Sequence, residues 1–409
     1  MTTYVFLNIP GQGHVNPTLA VAQELVRRGE RVIYYLTEEY RAAIESTEAI
    51  FRGYESHMGH LQPSTNGMPG SMSGNPLPFM MVDESAHVLP QVFERIRADQ
   101  PDCILYDTMC LWAKIAARSL HVPAVMFRPS YASNGQLNPG RTMGDSPAMN
   151  VGNFFAAFAQ VDGRLAELCQ VYGVEPFRAQ EMLLGSEALN IVFIPKEFQP
   201  GGETFDEQRF VFVGPSIQPR PDTSDFPFEL LVERTTLYIS LGTVFNNQAA
   251  FYNMCFAAFK DEPWQVVLST GRQVDPTTLD PIPANFLVRP HVPQLEVLQH
   301  SSLFVTHCGM NSTVESLYYG VPMVGIPQMP EQMMTAQRIQ ELGLGTVLDE
   351  KTLTVEKLHA TIKAAISNAD YRTNAQVMQQ HVRNAGGYKR AADAILNFAQ
   401  SQRQAPRKV

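Results

Sequence analysis

Short apolar runs alternate with segments of helical spacing along the first part of the chain. Residues 4–9 are an apolar run rich in β-formers, and residues 31–36 are a second such run. Between them, residues 17–28 carry apolar side chains three or four positions apart, and Gly29 follows as a stop signal. A strand, a helix and a strand at this spacing predict a βαβ unit, which implies a parallel sheet.

The same alternation continues through the chain in two further sets. In the first set, strands are predicted at 103–106 and 124–127, with a helical pattern at 115–120 between them. In the second set, the predicted strands are 237–240, 265–269, 286–288, 303–306 and 322–326, and the predicted helices are 248–259 and 313–319. The pattern therefore predicts an α/β protein built from two consecutive doubly wound units.

A proline-rich stretch separates the two predicted units. Residues 214–228 contain four prolines, and such a cluster between periodic segments is typical of a linker. We therefore predict a first domain at 1–213, a linker at 214–228 and a second domain at 229–387. The remaining residues, 388–409, show a helical pattern with a basic end, and we expect this helix to pack back on the first domain.

Composition excludes several classes of protein. The chain has 409 residues, of which 44% are apolar and 17% are charged. This profile is globular and excludes disordered, collagen-like and coiled-coil classes. The formal net charge is −9, and no basic run with interleaved aromatic residues occurs, so we expect no nucleic-acid partner.

Cysteine usage and the N-terminus point to the cytoplasm. Five scattered cysteines are an odd number and contain no CxxC, which indicates a reducing compartment rather than a disulfide framework. The first residues lack the basic region and long apolar core of a signal peptide. No uninterrupted apolar run approaches ~20 residues, so we expect no membrane-spanning helix.

The first candidate site is the motif GQGHVNP at 11–17. Here a glycine-rich loop is predicted to lead from the first strand into a helix that opens at Pro17, with Asn16 as its N-cap. Asn16 stands where a dinucleotide-binding fingerprint has its third glycine, which disfavours that kind of site. His14 lies at the mouth of the loop, either as a turn residue or as a functional imidazole.

Asp107 ends the next buried strand, at the edge of the sheet that also holds His14. A buried carboxylate is costly unless it is paired. Two interpretations stay open: Asp107 caps the following helix, or it orients and charges the imidazole of His14, as in a catalytic triad.

The second candidate site follows the predicted strand 303–306. Residues 308–312 lead into a helix whose free N–H groups and dipole would face a phosphate. Glu315 lies one turn further and is spaced to accept hydrogen bonds from a ribose diol. Residues 240–243, SLGT, form another small-residue loop after a strand, and no DxD carboxylate pair occurs for a metal-held diphosphate.

With these motifs in order, the chain resembles the UDP-dependent glycosyltransferases of family 1, in particular the bacterial macrolide-type (YjiC-like) subgroup. The resemblance covers nearly the whole chain and rests on HCGxNSxxE, GVP, EQ, GxGHxNPTL, EALNIVFIPKEFQ, FVGPS, YISLGT, IPANF and VPQLEVL. It implies the GT-B architecture, in which two Rossmann-like doubly wound domains face a central cleft. The acceptor then binds the first domain and the nucleotide sugar binds the second.

The resemblance also assigns residue roles. His14 matches the catalytic base and Asp107 its partner. The positions that match the donor-binding residues are Gly13, Ser240, Gly242, Thr243, His291, Val292, Gln294, His307, Gly309, Met310, Asn311, Ser312, Glu315, Glu331 and Gln332. His291 stands where plant members carry a tryptophan that stacks on uracil, and an imidazole offers less stacking area. A thymidine diphosphate donor therefore stays an alternative to a uridine diphosphate donor.

Two long loops, at 56–81 and 131–153, are expected beside the first site and are typical of binding loops. Apolar and small side chains in and near them are candidates for an acceptor wall: Phe79, Met80, Met109, Ser130, Phe154, Phe155 and Phe158. For any single apolar residue of this set, ordinary core packing is the alternative.

The expected function is inverting transfer of glucose from UDP-glucose to a hydroxyl of small lipophilic acceptors such as flavonoids, other phenolics and macrolides. The expected protein is a monomer that needs no cofactor and no metal and has neither a nucleic-acid nor a membrane partner. Two alternatives are kept: a dedicated, antibiotic-inactivating macrolide glycosyltransferase, and a nucleotide-sugar-binding module without catalysis.

Overall fold

The computed structural model describes residues 1–58, 71–72, 75–134, 151–218, 225–232, 234–242 and 246–404. The chain divides into two units. The first unit comprises Met1–Ile217 together with Ala385–Val409, and the second comprises Gln218–Asn384. The first boundary lies inside the proline-rich stretch 214–228.

The first unit is built on a parallel sheet of seven strands. The strands of the whole unit, including two that lie outside this sheet, are in chain order β1 (Thr3–Leu7), β2 (Arg31–Leu36), β3 (Ile50–Gly53), β4 (Ser71–Met72), β5 (Asn75–Pro76), β6 (Cys103–Asp107), β7 (Ala124–Arg128), β8 (Leu189–Val192) and β9 (Phe210–Phe212). The sheet order is β3-β2-β1-β6-β7-β8-β9, while β4 and β5 form a separate antiparallel pair.

The second unit has a parallel sheet of six strands. They are β10 (Thr236–Ser240), β11 (Gln265–Ser269), β12 (Phe286–Arg289), β13 (Leu303–Thr306), β14 (Met323–Gly325) and β15 (Gly345–Val347). Their order is β12-β11-β10-β13-β14-β15. The prediction of an α/β fold with two doubly wound, Rossmann-like units is therefore confirmed.

Helices connect these parallel strands. They are α1 (Gln12–Arg27), α2 (Arg41–Glu45), α3 (Leu77–Asp99), α4 (Leu111–Ser119), α5 (Val151–Val171), α6 (Glu181–Leu184), α7 (Ala249–Phe259), α8 (Gln294–His300), α9 (Met310–Tyr318), α10 (Pro330–Glu341), α11 (Val355–Ser367), α12 (Ala369–Asn384) and α13 (Gly387–Gln404). Helices α3 and α5 begin inside the stretches predicted as loops at 56–81 and 131–153, and much of both stretches lies outside the described residues. Within the described ranges, no helix is both long and apolar enough to cross a membrane.

The last helix belongs to the first unit. Arg28, at the end of α1, donates to Asp393 of α13 at 2.5 Å and to the Lys389 carbonyl oxygen at 3.4 Å. The N–H of Gly387 donates to the Val213 carbonyl oxygen at 2.7 Å. These bonds attach α13 to both the start and the end of the chain segment that forms the first sheet.

Both sheets reverse their strand order at one place. In the first sheet the reversal lies between β1 and β6, and in the second it lies between β10 and β13. The connections on the two sides of such a point diverge, which leaves a crevice at the carboxyl ends of the two central strands. Both predicted sites follow these four strands.

Candidate functional site

The loop after β1 is shorter than the sequence predicted. Helix α1 begins at Gln12, not at Pro17, and Gly11 is its N-cap in an extended conformation (φ −134°, ψ 125°). The predicted N-cap Asn16 therefore lies inside the helix. Proline is compatible with a helical φ and removes only one hydrogen bond near this end, so Asn16 and Pro17 do not mark the start. His14 stands in the first turn of α1 as a result.

His14 and Asp107 are in direct contact. The Nδ1 atom of His14 lies 2.7 Å from Oδ2 of Asp107, and the side chains are 29% and 0% exposed respectively. The other carboxylate oxygen, Oδ1, accepts the Met109 N–H at 2.8 Å. When Nδ1 carries a hydrogen it can donate it to this carboxylate oxygen, and Nε2 is then the ring nitrogen that can accept a proton.

Strand pairing brings these two residues together. Leu7 of β1 lies opposite Tyr106 of β6 in the parallel register, so the chain after β1 and the end of β6 meet at one sheet edge. Asp107 also occupies the position before α4, but its carboxylate oxygens are used by His14 and by Met109 rather than by an N–H of α4. The structure thus favours the orienting role of Asp107 over the capping role.

The second site also holds a histidine at its centre. His307 follows β13, and its ring lies against two glycine backbones. A Cβ atom added to Gly242 would lie 2.6 Å from Cε1 of the ring, and one added to Gly309 would lie 2.9 Å from the same atom. Gly242 also has a φ of +81°, which disfavours other residues there. The two glycines therefore leave the space that the imidazole fills.

Burial lowers the pKa of His307 to about 4, with a smaller opposing effect from the Ser240 backbone. The ring is therefore neutral near pH 7. A neutral imidazole can still donate one N–H to an anion, without adding a positive charge to the site.

The helix after His307 begins earlier than predicted. Its N-cap is Gly309 and its first residue is Met310 rather than Thr313. Met310, Asn311 and Ser312 consequently form the first turn of α9, where backbone N–H groups point out of the helix. This end is suited to an anion because free N–H groups and the helix dipole act in the same direction.

A chain of hydrogen bonds links α8, α9 and β10 beside this helix end. Tyr238 Oη donates to Gln294 Oε1 at 3.0 Å. Gln294 Nε2 donates to Glu315 Oε2 at 2.6 Å and to Ser312 Oγ at 3.3 Å. Glu315 is buried, with 4% exposure. The sequence analysis identified Gln294, Ser312 and Glu315 as site residues but missed Tyr238. The only signal for Tyr238 in the sequence was its position near the end of a predicted strand.

The other donor-site candidates lie around the same sheet edge or on α10. Ser240 ends β10, and its Oγ accepts the Gly242 N–H at 3.4 Å. Gln332 Oε1 accepts the N–H groups before α10, at 2.8 Å from residue 328 and 3.1 Å from residue 329. Glu331 and His291 are exposed and Val292 is buried, while Gly13 is exposed in the first turn of α1. Thr243 lies outside the described residues.

The acceptor candidates are distributed over four elements of the first unit. Phe79 and Met80 lie on α3, Met109 follows β6 and Ser130 follows β7. Phe158 of α5 is 1% exposed and packs in the main core. Phe154 and Phe155 lie on the same helix, but their side chains are outside the described part of the structure.

Cys308 is a buried residue beside His307. Burial raises the pKa of its thiol to about 12, and its φ is +63°. A thiol with so high a pKa is a poor nucleophile. Among the residues that the structure describes, no three histidine, cysteine, aspartate or glutamate side chains come together as a metal-binding group.

Comparison with known proteins places the chain among glycosyltransferases. Residues 228–383 match the family model "UDP-glucoronosyl and UDP-glucosyl transferase". The NDP-glycosyltransferase YjiC of Bacillus subtilis is 41% identical over 96% of both chains. Demethyllactenocin mycarosyltransferase of Streptomyces fradiae is 32% identical over 97% of this chain and 86% of its own length. The solved structure of the calicheamicin glycosyltransferase CalG4 has a TM-score of 0.81 and 29% identity, over 99% of this chain and 100% of its own.

Proposed function

The chain belongs to family 1 of the UDP-dependent glycosyltransferases, in the bacterial macrolide-type (YjiC-like) subgroup, and on this premise we propose that it transfers glucose from UDP-glucose to small lipophilic acceptors. The chain is thus an enzyme, and the alternative of a binding module without catalysis is dropped. The proposed acceptors carry a reactive hydroxyl, as flavonoids, other phenolics and macrolides do.

One observation carries the proposed mechanism: the 2.7 Å contact between His14 and the fully buried Asp107. Nε2 of His14 removes the proton of the acceptor hydroxyl as its oxygen attacks the anomeric carbon of glucose. The imidazolium that forms is stabilised by the Asp107 carboxylate, which also holds Nδ1–H in the required tautomer. The C–O bond to the diphosphate breaks in the same step, so an α-linked donor yields a β-glucoside with inversion.

The second unit supplies the proposed donor site. The diphosphate would lie at the N-terminus of α9, where N–H groups and the neutral ring of His307 stabilise the charge that develops on the leaving UDP. The carboxylate of Glu315, which accepts a hydrogen bond from Gln294 at 2.6 Å, would accept hydrogen bonds from the ribose hydroxyls. Glu331 and Gln332 at the start of α10 are proposed to bind the sugar hydroxyls. We propose that no cofactor or metal takes part, since these N–H groups would do the work of a metal on the diphosphate.

We also propose a cytoplasmic location and a monomeric state for the whole protein.

One relative supports a second candidate function. The relative named demethyllactenocin mycarosyltransferase couples one acceptor with one sugar in its name. A dedicated macrolide glycosyltransferase that inactivates one antibiotic is therefore the alternative function. The donor also has an alternative: because His291 stands where plant members carry a stacking tryptophan, a thymidine diphosphate sugar is tested beside the uridine diphosphate sugar.

A product assay by mass spectrometry tests the proposal. UDP-glucose and thymidine diphosphate glucose are each incubated with a mixed panel of flavonoids and macrolides, with and without EDTA, using the wild type and His14→Ala. We expect a gain of one hexose from UDP-glucose on several acceptors, unaffected by EDTA. We also expect His14→Ala to lose ~10²–10⁴ in rate.

Three results would contradict parts of the proposal. Transfer at full rate in His14→Ala would exclude this residue as the base. Loss of transfer with EDTA would exclude a metal-independent reaction. Transfer to a single macrolide only would favour the dedicated enzyme over the broad one.

A further inference from the structure

A buried amide bonds to the backbone of the turn that carries His14. Asn8 directly follows β1 and is 2% exposed. Its Nδ2 donates to the His14 carbonyl oxygen at 3.0 Å and lies 3.1 Å from Tyr34 Oη and 3.3 Å from Thr18 Oγ1. Its Oδ1 accepts the Ile9 N–H at 2.9 Å. Both ends of the amide are thus satisfied, and one end is bonded to His14.

The neighbours of Asn8 permit only this orientation of its amide. Rotation by 180° would place Oδ1 against the His14 carbonyl oxygen and Nδ2 against the Ile9 N–H, and both contacts are repulsive. The hydroxyl of Tyr54 also donates to the Asn8 carbonyl oxygen at 2.6 Å. Because Asn8 and Tyr54 are both buried, little water competes for these bonds, and the arrangement is rigid.

The first turn of α1 needs such support because Pro17 follows it closely. Pro17 has no N–H, so it cannot donate the helical hydrogen bond to the Gly13 carbonyl oxygen four residues earlier. His14 therefore stands in a part of α1 with a weakened hydrogen-bond ladder. The bond from Asn8 connects this part of the helix to the residue at the end of β1, the strand beside the one that ends in Asp107.

We propose that Asn8 is a positioning residue that keeps the imidazole of His14 in line with Asp107. The inference rests on the proposed role of His14 as the base. Without the amide, the turn can shift, and a shift of about 1 Å is enough to break the contact with Asp107 and slow the chemistry. The ring would then populate its second tautomer, with the hydrogen on Nε2, which cannot accept the substrate proton there.

The experiment compares Asn8→Ala with Tyr34→Phe. Tyr34 is a matched control because its hydroxyl bonds only to Asn8 and Thr18 among the described contacts, so its removal takes a buried polar group from the network but leaves the bond to His14. We expect Asn8→Ala to lower kcat ~10–10²-fold with the KM for UDP-glucose unchanged. We expect Tyr34→Phe to keep the wild-type kcat.

A spectroscopic measurement on the full chain reports the ring itself. Histidine is labelled with ¹⁵N, and the His14 signal is assigned by its disappearance in His14→Ala. We expect the Nδ1–H tautomer in the wild type and in Tyr34→Phe, and a mixture of tautomers in Asn8→Ala. If Asn8→Ala does not fold, Asn8→Ser, which keeps a smaller donor, is measured in the same two ways.

An unchanged His14 signal in the Asn8 variant would overturn the inference, whether or not kcat falls, because Asn8 would then act elsewhere. Equal losses of kcat in Asn8→Ala and Tyr34→Phe would also overturn it, since the network would then matter only for folding. Full activity in His14→Ala would instead contradict the proposed base. The ring signal would still decide whether Asn8 orients His14, so the two failures are distinguishable.

Discussion

The switch points of the two units have the same strand arrangement, and each carries a histidine of different chemical character. His14 lies after β1 in contact with the buried carboxylate of Asp107, and 29% of its side chain is exposed. His307 lies after β13 between the backbones of Gly242 and Gly309. Burial lowers the pKa of His307 to about 4, whereas Nδ1 of His14 lies 2.7 Å from a carboxylate oxygen of Asp107.

This difference shows that the fold provides the place and the neighbours decide the chemistry. A histidine beside a carboxylate can take up a proton, because the charge that forms is balanced. A histidine packed against glycines stays neutral and can only offer an N–H to a ligand. The proposed division of labour between an acceptor unit and a donor unit follows from these two sets of neighbours.

The largest effect is expected when the carboxylate of the first pair is removed. In Asp107→Asn the side chain can present its NH2 group to His14, and the wrong tautomer is then favoured. We expect kcat to fall ~10²–10⁴-fold with unchanged affinity for UDP, measured by steady-state kinetics and by calorimetric titration.

Asp83→Asn is the matched control for this substitution. Asp83 lies on α3 of the same unit, is 42% exposed and pairs with Arg164 on the surface, so we expect near wild-type activity. Comparable losses of kcat in Asp83→Asn and Asp107→Asn would contradict a special role for the buried carboxylate.

The second prediction concerns the space around the other imidazole. In Gly309→Ala the new methyl group would overlap the His307 ring, with Cε1 only 2.9 Å away. We expect the ring and the first turn of α9 to shift, which weakens UDP binding ~10–10²-fold, the loss of one or two hydrogen bonds to a charged group. Calorimetric titration with UDP measures this effect.

Gly163→Ala serves as the control, since a Cβ at that position meets nothing within 4 Å and alanine favours a helix. We expect this variant to bind UDP as the wild type does and to be slightly more stable. Unchanged UDP affinity in Gly309→Ala would mean that the position of His307 is irrelevant to the donor.

Much of this comparison could be predicted from the sequence, because it depends on strand ends. Apolar runs predict β1, β6, β10 and β13, and the polar residues that follow these strands are the predicted site residues. The family resemblance assigns Asp107 as the partner of His14, but spacing along the chain could not establish their contact, because 93 positions separate them. Their meeting depends on β1 lying beside β6, and spacing along the chain does not specify sheet order.

Local signals misplaced the helix starts at both candidate sites. Asn16 and Pro17 form a strong N-cap pattern, but Gly11 takes the extended conformation first and α1 begins at Gln12. In the same way, α9 begins at Met310, three positions before its predicted start. Both sites gain a helical first turn as a result. The hydrogen bonds of Asn8 to His14 and of Tyr238 to Gln294 became visible only in the structure, because each joins side-chain or backbone groups of different segments of the chain.

The third prediction uses pH to separate the two histidines. The pKa of His307 is lowered from 6.5 to about 4, so between these pH values the unfolded chain binds a proton that the folded chain does not. The stability contributed by burial of the neutral ring is therefore present above pH 6.5 and is lost as the pH falls toward 4. After allowance for partial exposure of the ring, we expect a loss of about 2 kcal/mol.

Denaturant unfolding of the wild type and His307→Gln from pH 4.5 to 7.5 measures this loss. The two free energies of unfolding should converge as the pH falls, because glutamine does not titrate, and the other titrating groups cancel in the difference. A constant difference across the range would mean that His307 is not desolvated, and the contrast with His14 would disappear.

The smallest effect is expected at Cys308, the thiol beside His307. A cysteine next to an imidazole suggests a nucleophile, and such a role would make the second switch point the reactive one. Burial instead raises the thiol pKa to about 12. The Sγ atom packs against Gly325, where an added Cβ would lie 2.5 Å from it.

In Cys308→Ala we expect wild-type kcat and a loss of about 1 kcal/mol in stability from the small cavity. Steady-state kinetics, together with alkylation of the native wild type at pH 8, checks this. Rapid alkylation of Cys308 with loss of activity, matched by an inactive Cys308→Ala, would show that the second histidine activates a thiol. In that case the assignment of base chemistry to the first unit alone would be wrong.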